Sequence, residues 1–329
     1  MITSILRLNW SISIALLPYS PCRMNGIMLN QKELKEIESQ AVDIISGAGD
    51  LLLQYFDKPL SVDYKSANGR NPVTDADHAA DEFILNQISK HFPGHTVVTE
   101  ETENQSDEAG QFTWVVDPLD GTSNFLHHLP IFASMLCLLF NGIPLVSAIY
   151  LPKIGSKNGT VLHACKGGGA FEDGVQFFIN NSEPSRLMAS VPGYFLRMFS
   201  HKKNLRRQLG DLRSLGSAGY ELAMTAKGST DYIISSGPAV WDIAPGLLLV
   251  LEAGGAAVIR EQKNRNWIEF ESFNNQSVLS PTPSELRRWK ATLMLGRKST
   301  VDRISSGLSI KSYPIRDIKY KIKSIIGRQ

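Results

Sequence analysis

From residue 30 onward the apolar positions follow two periods, and the changes between them outline the elements. Leu34, Ile37, Ala41, Ile44, Ala48 and Leu52 recur at helical spacing behind Asn30 and Glu33, a pair with the types and separation of a capping box. They predict a helix from Asn30 to about Phe56, before Pro59. A second stripe, Ala80, Phe83, Ile84 and Ile88, predicts a helix capped by Thr74 or Asp75 and stopped at Pro93-Gly94. Between the two lie a short segment, Val62 to Lys65, and a loop over 66–72. From residue 97 the pattern becomes strand-like. Val97 to Thr102 reads as a short strand ending in paired acids, and Phe112 to Val116 as a short buried strand cut off at Asp117-Pro118, where the ladder loses a donor. Two apolar runs, Ile131 to Phe140 and Ile143 to Leu151, flank Asn141-Gly142 and predict a central antiparallel hairpin. Gly167 to Phe171 reads as a glycine turn between strands, ending at Asp173-Gly174. Arg213 to Gly219 opens a helix through Leu222 and Ala226, and Asp231 to Ile234 reads as a strand. The last clear helix should start near Asp242, because Pro245 costs little only where backbone N–H groups are unpaired anyway. The basic cluster His201, Lys202, Lys203, Arg206 and Arg207 reads as a solvated helix face.

Composition narrows this only slightly. The chain has 329 residues, 43% hydrophobic and 20% charged, enough for one large domain or two lobes. A net charge of +2 gives no global case for nucleic-acid or membrane binding. Cys22, Cys137 and Cys165 are odd in number and widely spaced, so neither a disulfide framework nor a zinc cage is indicated, and a reducing cytoplasm fits best. Residues 1–29 read as a disordered leader or an over-extended start, and their mixed stretch Leu8 to Leu17 is too short to span a bilayer. Residues 311–329 alternate Ile and Tyr with Lys and Arg. Such a basic tail either packs with its charged face in solvent or contacts RNA or another anionic surface.

Chemistry concentrates in Trp114 to Phe125. Asp117 and Asp120 are three residues apart across a proline, so a tight turn can aim both carboxylates and the Leu119 carbonyl at one point. These are hard oxygen ligands, which suit Mg²⁺. Gly121-Thr122-Ser123-Asn124 follows with helix-starting residues whose N–H groups would face an anion. Metal ligands next to an anion cradle point to phosphate chemistry. Taken bare, the same residues also make an ordinary solvated turn. In a strand the adjacent Glu100 and Glu101 diverge, so at most one faces a metal. Asp242 alone reads first as a helix cap.

Taken together, Trp114-Val-Val-Asp-Pro-Leu-Asp-Gly-Thr-Ser-Asn-Phe125, Glu100-Glu101, Gly216-Ser217-Ala218 and Trp241-Asp-Ile-Ala-Pro-Gly246 followed by Glu252-Ala-Gly-Gly255 resemble the inositol monophosphatase family. These are Mg²⁺-dependent, lithium-sensitive phosphatases that share a fold with fructose-1,6-bisphosphatase. The resemblance spans roughly residues 30–295. It implies an α/β layered sandwich (α-β-α-β-α), with a metal-binding lobe over about 30–175 and a second lobe over about 176–295, usually in a homodimer. Beyond the resemblance, residues 296–329 read as a basic tail. The resemblance assigns Glu100, Asp117 and the Leu119 carbonyl to one Mg²⁺, and Asp117, Asp120 and Asp242 to a second. Glu100 and Thr122 would orient or deprotonate the attacking water, with Asp120 in the catalytic set. Gly121, Thr122 and Ser123 would hold phosphate, while Gly216, Ser217, Ala218 and Asp242 would face the alcohol part. Lys65, Asp77 and Glu101 would support them. On this reading Asp120→Asn abolishes phosphate release and leaves the fold intact.

The departures from the family pattern bear on substrate. Thr99 replaces a glycine before the paired acids, and Pro245 an alanine. Asn71 stands where most members carry an aspartate that helps hold a third, weaker Mg²⁺, and it looks more like the phosphoadenosine-phosphatase branch. Ser235, seven residues before Asp242, stands where animal inositol phosphatases carry an inositol-binding glutamate. The expected substrate is an inositol-1-phosphate-type sugar or polyol phosphate. Its alternatives are histidinol phosphate, fructose 1,6-bisphosphate and 3′-phosphoadenosine 5′-phosphate. From another class, the alternative is a regulatory protein binding RNA or a transcription complex through the tail.

Overall fold

The computed structural model describes residues 29–311, apart from 57, 59–61, 65–71, 104–105, 154, 156–157, 181, 206, 261–265 and 275–279. Lys65, Asn71, Arg206, the leader 1–28 and the tail 312–329 thus lie outside the described residues. Helix α1 (Gln31–Phe56) begins on the capping box read from sequence: Glu33 N–H donates to Asn30 Oδ1 at 3.0 Å, and Asn30 N–H to Glu33 Oε2 at 2.7 Å. A short antiparallel pair, β1 (Val62–Tyr64) and β2 (Pro72–Thr74), leads into α2 (Asp75–His91), where Thr74 is the cap and Asp77 its return partner.

Strands β3 (Thr96–Thr99) and β4 (Phe112–Asp120) run parallel. After the one-turn helix α3 (Thr122–Leu126), β5 (Ala133–Phe140), β6 (Ile143–Pro152), β7 (Gly159–Cys165), β8 (Gly169–Glu172) and β9 (Val175–Phe177) add antiparallel neighbours in chain order, giving a seven-stranded sheet. The β5–β6 turn has Asn141 at φ 50° and Gly142 at φ 80°, the left-handed pair that a two-residue hairpin requires. One expectation is corrected here. The Asp117-Pro118 pair does not end its strand; β4 runs on to Asp120, with Asp117 opposite Met135 and Asp120 opposite Ala133. Three steps on one strand against two on the other make a β-bulge at Pro118-Leu119, where the missing proline N–H breaks no ladder bond.

The second half contributes β10 (Met188–Ser190), α4 (Phe195–Met198), β11 (Phe199–His201), β12 (Asp211–Arg213), α5 (Ala218–Ala226), β13 (Tyr232–Ser236), α6 (Val240–Glu252), β14 (Ala256–Arg260), β15 (Ile268–Glu269), α7 (Pro283–Arg288), β16 (Thr292–Gly296), α8 (Lys298–Ser305) and β17 (Leu308–Ile310). Its six-stranded sheet has the order β12-β10-β13-β16-β14-β15. Three further expectations are corrected. Helix α6 begins at Val240, so Asp242 is its third residue and Pro245 lies within the helix, leaving the Trp241 carbonyl without its usual donor. The basic cluster is not a helix face, since His201 ends β11, Lys202 and Lys203 enter a 3₁₀ turn and Arg207 sits in a turn. And residues 298–310, assigned to the tail, pack against the domain: α8 lies on β14 and β16, and β17 pairs with β11.

Period-two alternation assigns each sheet face. In β5, Leu136, Leu138 and Phe140 pack with Ile44, Ala48 and Ile84 of α1 and α2. Met135, Cys137 and Leu139 pack on the other face with Leu222 of α5 and Ile243 and Leu247 of α6. The same middle layer receives Leu293 and Leu295 of β16, while Met294 points away to Val301 and Ile304 of α8. Helix, sheet, helix, sheet and helix therefore stack as an α-β-α-β-α sandwich, the expected class.

Candidate active site

Two acidic residues are delivered by one ladder. Because β3 and β4 are parallel, their C-terminal ends emerge together, and the N–H of Glu100 still donates to the Val116 carbonyl at 3.2 Å. Glu100 thus lies beside Asp117. Asp242 arrives from elsewhere, on the first turn of α6, where its Oδ2 accepts the Ala239 N–H at 2.8 Å. One carboxylate oxygen from each of Glu100, Asp117 and Asp242 lies within 4.8 Å of the others. Asp117 is 1% exposed, and its Oδ1 is buried without a hydrogen-bond partner. Such an atom costs free energy unless a cation meets it. Burial, and then the charges of Glu100, Asp120, Asp242 and Asp77, push Asp117 well above the usual carboxylate range. Burial and the Asp120 charge push Asp242 up to about 7. An all-oxygen donor set that repels itself when ionised fits a hard divalent cation such as Mg²⁺.

Asp120 lies beside that trio, close enough for its charge to raise Asp117 and Asp242. The N-terminus of α5 grips its carboxylate. Oδ1 accepts the Ala218 N–H at 3.1 Å, and Oδ2 accepts the Gly219 N–H at 2.8 Å and the Ser217 hydroxyl. Burial still outweighs these bonds and raises Asp120 to about 6. Ser217 and Ala218, expected against the substrate, thus spend these donors on Asp120. A carboxylate has about four lone-pair sites, so Oδ1 keeps capacity for a further partner.

The turn that follows is fixed by close approach. Gly121 has φ 88°, and a Cβ there would stand 3.1 Å from both the Ile131 carbonyl oxygen and Ser217 Cβ. Asn124 Nδ2 donates to Ile131 O at 2.7 Å and Leu215 O at 2.8 Å, tying α3 to the turn that carries Gly216. The Thr122 hydroxyl lies 3.1 Å from both Asp77 Oδ1 and the Leu119 carbonyl oxygen. Asp77 is buried, with Oδ2 accepting from Thr74 N–H at 2.8 Å and Thr74 Oγ1 at 2.6 Å. Ser123 is exposed. The adjacent His127 and His128 are exposed and bond the Ser123 and Phe56 carbonyls.

Two residues were missed. Asp81, 3% exposed, accepts the Thr99 hydroxyl at 2.5 Å and the Thr102 hydroxyl at 2.6 Å, bracketing Glu100 and Glu101. Its signal was available, since Asp77 and Asp81 put two acids four apart on the apolar face of α2. Glu221 accepts the Leu215 N–H at 2.5 Å and is raised by burial to about 7; it steadies the turn before Ser217. Ser235 lies on β13 with no acid in its place.

The inositol monophosphatase family model matches residues 33–292. An inositol monophosphatase of Dictyostelium discoideum is 31% identical over 237 residues, covering 68% of this chain and 85% of its own. The Nus factor SuhB of Escherichia coli K12 is 32% identical over 222 residues, 65% of this chain and 82% of its own. Among solved structures, the extragenic suppressor protein suhB of Bartonella henselae superposes with a TM-score of 0.65 at 25% identity, covering 82% of this chain and 97% of the other.

Proposed function

Since the chain belongs to the inositol monophosphatase family and is a phosphatase by that membership, we propose that it hydrolyses a small sugar or polyol monophosphate of the inositol-1-phosphate type, with Mg²⁺ held by its acidic cluster. The observation that carries this reading is the buried Asp117, with one oxygen that has no hydrogen-bond partner, clustered with Glu100 and Asp242. Glu100, Asp117 and the Leu119 carbonyl would hold one ion, and Asp117, Asp120 and Asp242 a second. Bound there, Mg²⁺ would supply neutralisation of phosphate charge and a more acidic water. The side chains do the rest. The Thr122 hydroxyl, bonded to Asp77, can accept a hydrogen bond from an attacking water while passing its own proton toward that carboxylate. The N–H groups of Gly121 and Thr122, at the start of α3, would hold phosphate oxygens. Glu101 supports the Glu100 loop.

Inositol 1-phosphate leads by family, and the absent acid at Ser235 keeps histidinol phosphate, fructose 1,6-bisphosphate and 3′-phosphoadenosine 5′-phosphate in the comparison. A homodimer, lithium inhibition and a cytoplasmic setting are part of the same proposal. No helix among the described residues is long and apolar enough to cross a membrane. A second reading, contact with RNA or a transcription complex, is favoured by the similarity to a Nus factor. Phosphate release over that substrate panel, with and without Mg²⁺ and Li⁺, tests the first reading. Mg²⁺-dependent, Li⁺-inhibited release lost in Asp117→Asn is expected, whereas no release from any substrate, with salt-sensitive RNA binding, overturns it in favour of the second.

A further inference from the structure

The three clustered acids are held by unequal means. Glu100 and Asp117 share the β3–β4 ladder, so their separation is set by backbone hydrogen bonds. Asp242 belongs to α6, which packs on β4 through side chains with no ladder between them. One side chain outside every motif ties the first turn of α6 to the Glu100 loop. Arg287, on α7, donates through Nη2 to the carbonyl of Thr102, two residues after Glu100, and its guanidinium lies 5.5 Å from the ring centroid of Trp241, the residue before Asp242. Its helix is itself anchored to the same loop, since the Ser284 N–H donates to Asp107 Oδ1 at 2.7 Å. From α2, Asp81 holds Thr99 and Thr102 through their hydroxyls. The Glu100 loop is therefore tied to both α2 and α7, and through Arg287 the α7 side also reaches α6.

We infer that Arg287 is a positioning residue that sets the distance between Asp242 and the Glu100–Asp117 pair, and so tunes divalent-cation affinity without touching the ion. The inference rests on the metal-binding reading above. A guanidinium suits the task because one flat group can donate in its plane to a carbonyl while stacking its face on an indole. An ammonium supplies the charge but not both contacts in one fixed geometry. Groups that orient metal ligands typically change affinity about 10–100-fold when removed.

The test uses the full chain freed of metal. Arg287→Met keeps an apolar stem over Trp241 and removes the fork; Arg287→Lys keeps the charge. Mg²⁺ and Mn²⁺ binding would be measured by calorimetry, next to thermal unfolding without metal and the Mg²⁺ dependence of phosphate release. Arg287→Met should weaken Mg²⁺ binding about tenfold and raise the half-saturating Mg²⁺ in turnover by the same factor. The substrate KM at saturating Mg²⁺ should be unchanged, and Arg287→Lys should fall between. Mg²⁺ binding within twofold of wild type in Arg287→Met, whatever happens to its metal-free unfolding, would overturn the inference. If wild type binds Mg²⁺ but releases no phosphate, the proposed reaction fails, while the calorimetric comparison still decides the role of Arg287.

Discussion

At the scale of single residues, Asp120 shows how a candidate ligand can be picked out in the sequence while its surroundings stay hidden. Its spacing from Asp117 was legible, as was the glycine after it. Its three donors from α5 were not, because nothing in the local sequence says that residues nearly a hundred positions on will fold back onto it. The consequence changes a prediction. Asp120→Asn should abolish phosphate release, but it should not leave stability untouched. Burial outweighs the α5 bonds and raises this carboxyl to about 6, so above that pH the ionised group costs the metal-free fold free energy that a neutral amide does not. Metal-free Asp120→Asn should therefore resist denaturant better than wild type at about pH 8 and lose that advantage near about pH 4; a variant less stable than wild type at the higher pH would mean that the α5 bonds outweigh the burial of the charge.

At the scale of elements, the long helices and the β5–β6 hairpin were legible because their patterns are long and their turn residues are specific. The β4 bulge was not, since Asp-Pro is both a strand terminator and a residue pair that a bulge accommodates. In β5 every residue from Ala133 to Phe140 is buried, so alternation carried no polarity and the sequence left its two faces indistinguishable. The segment beyond 296 was unreadable for a different reason: α8 and β17 are eight and three residues long, too short for a periodic signal. Yet Val301, Ile304 and Leu308 are buried against the outer face of the second sheet. Full burial of such a side chain contributes about 1.5–3 kcal/mol, against a typical total stability of about 5–15 kcal/mol. A chain ended at Gly296 should accordingly lose its cooperative unfolding transition by circular dichroism; a truncated protein that melts at the wild-type temperature would contradict the packing.

At the scale of the whole molecule, the acidic cluster links folding to pH and to metal. Asp242 and Asp120 sit near 7 and 6 in the native protein, against 3.8 when exposed. Between those values the native state keeps protons that the unfolded chain has released. The contribution of these two acids to the stability of the metal-free protein should then be greatest below about pH 4, decline as pH rises to about 7 and level off above it. Added Mg²⁺, which replaces the protons, should stabilise more as pH rises through the same window. Melting temperatures taken across that range with and without Mg²⁺ check both slopes, and parallel curves would exclude the cluster as the metal site.

The shared middle layer has one more consequence. Helix α6 presents Asp242 at its tip while its body is wedged between two sheets, with Leu247 and Leu249 buried on the way. The third acid therefore sits on the free end of a helix whose body is held by the core, and the placing of that first turn falls to the Arg287–Trp241 contact. If the cluster holds an ion as proposed, the freedom to follow a different radius is confined to that one turn, so size selectivity should depend on the core as well as on the choice of oxygen donors.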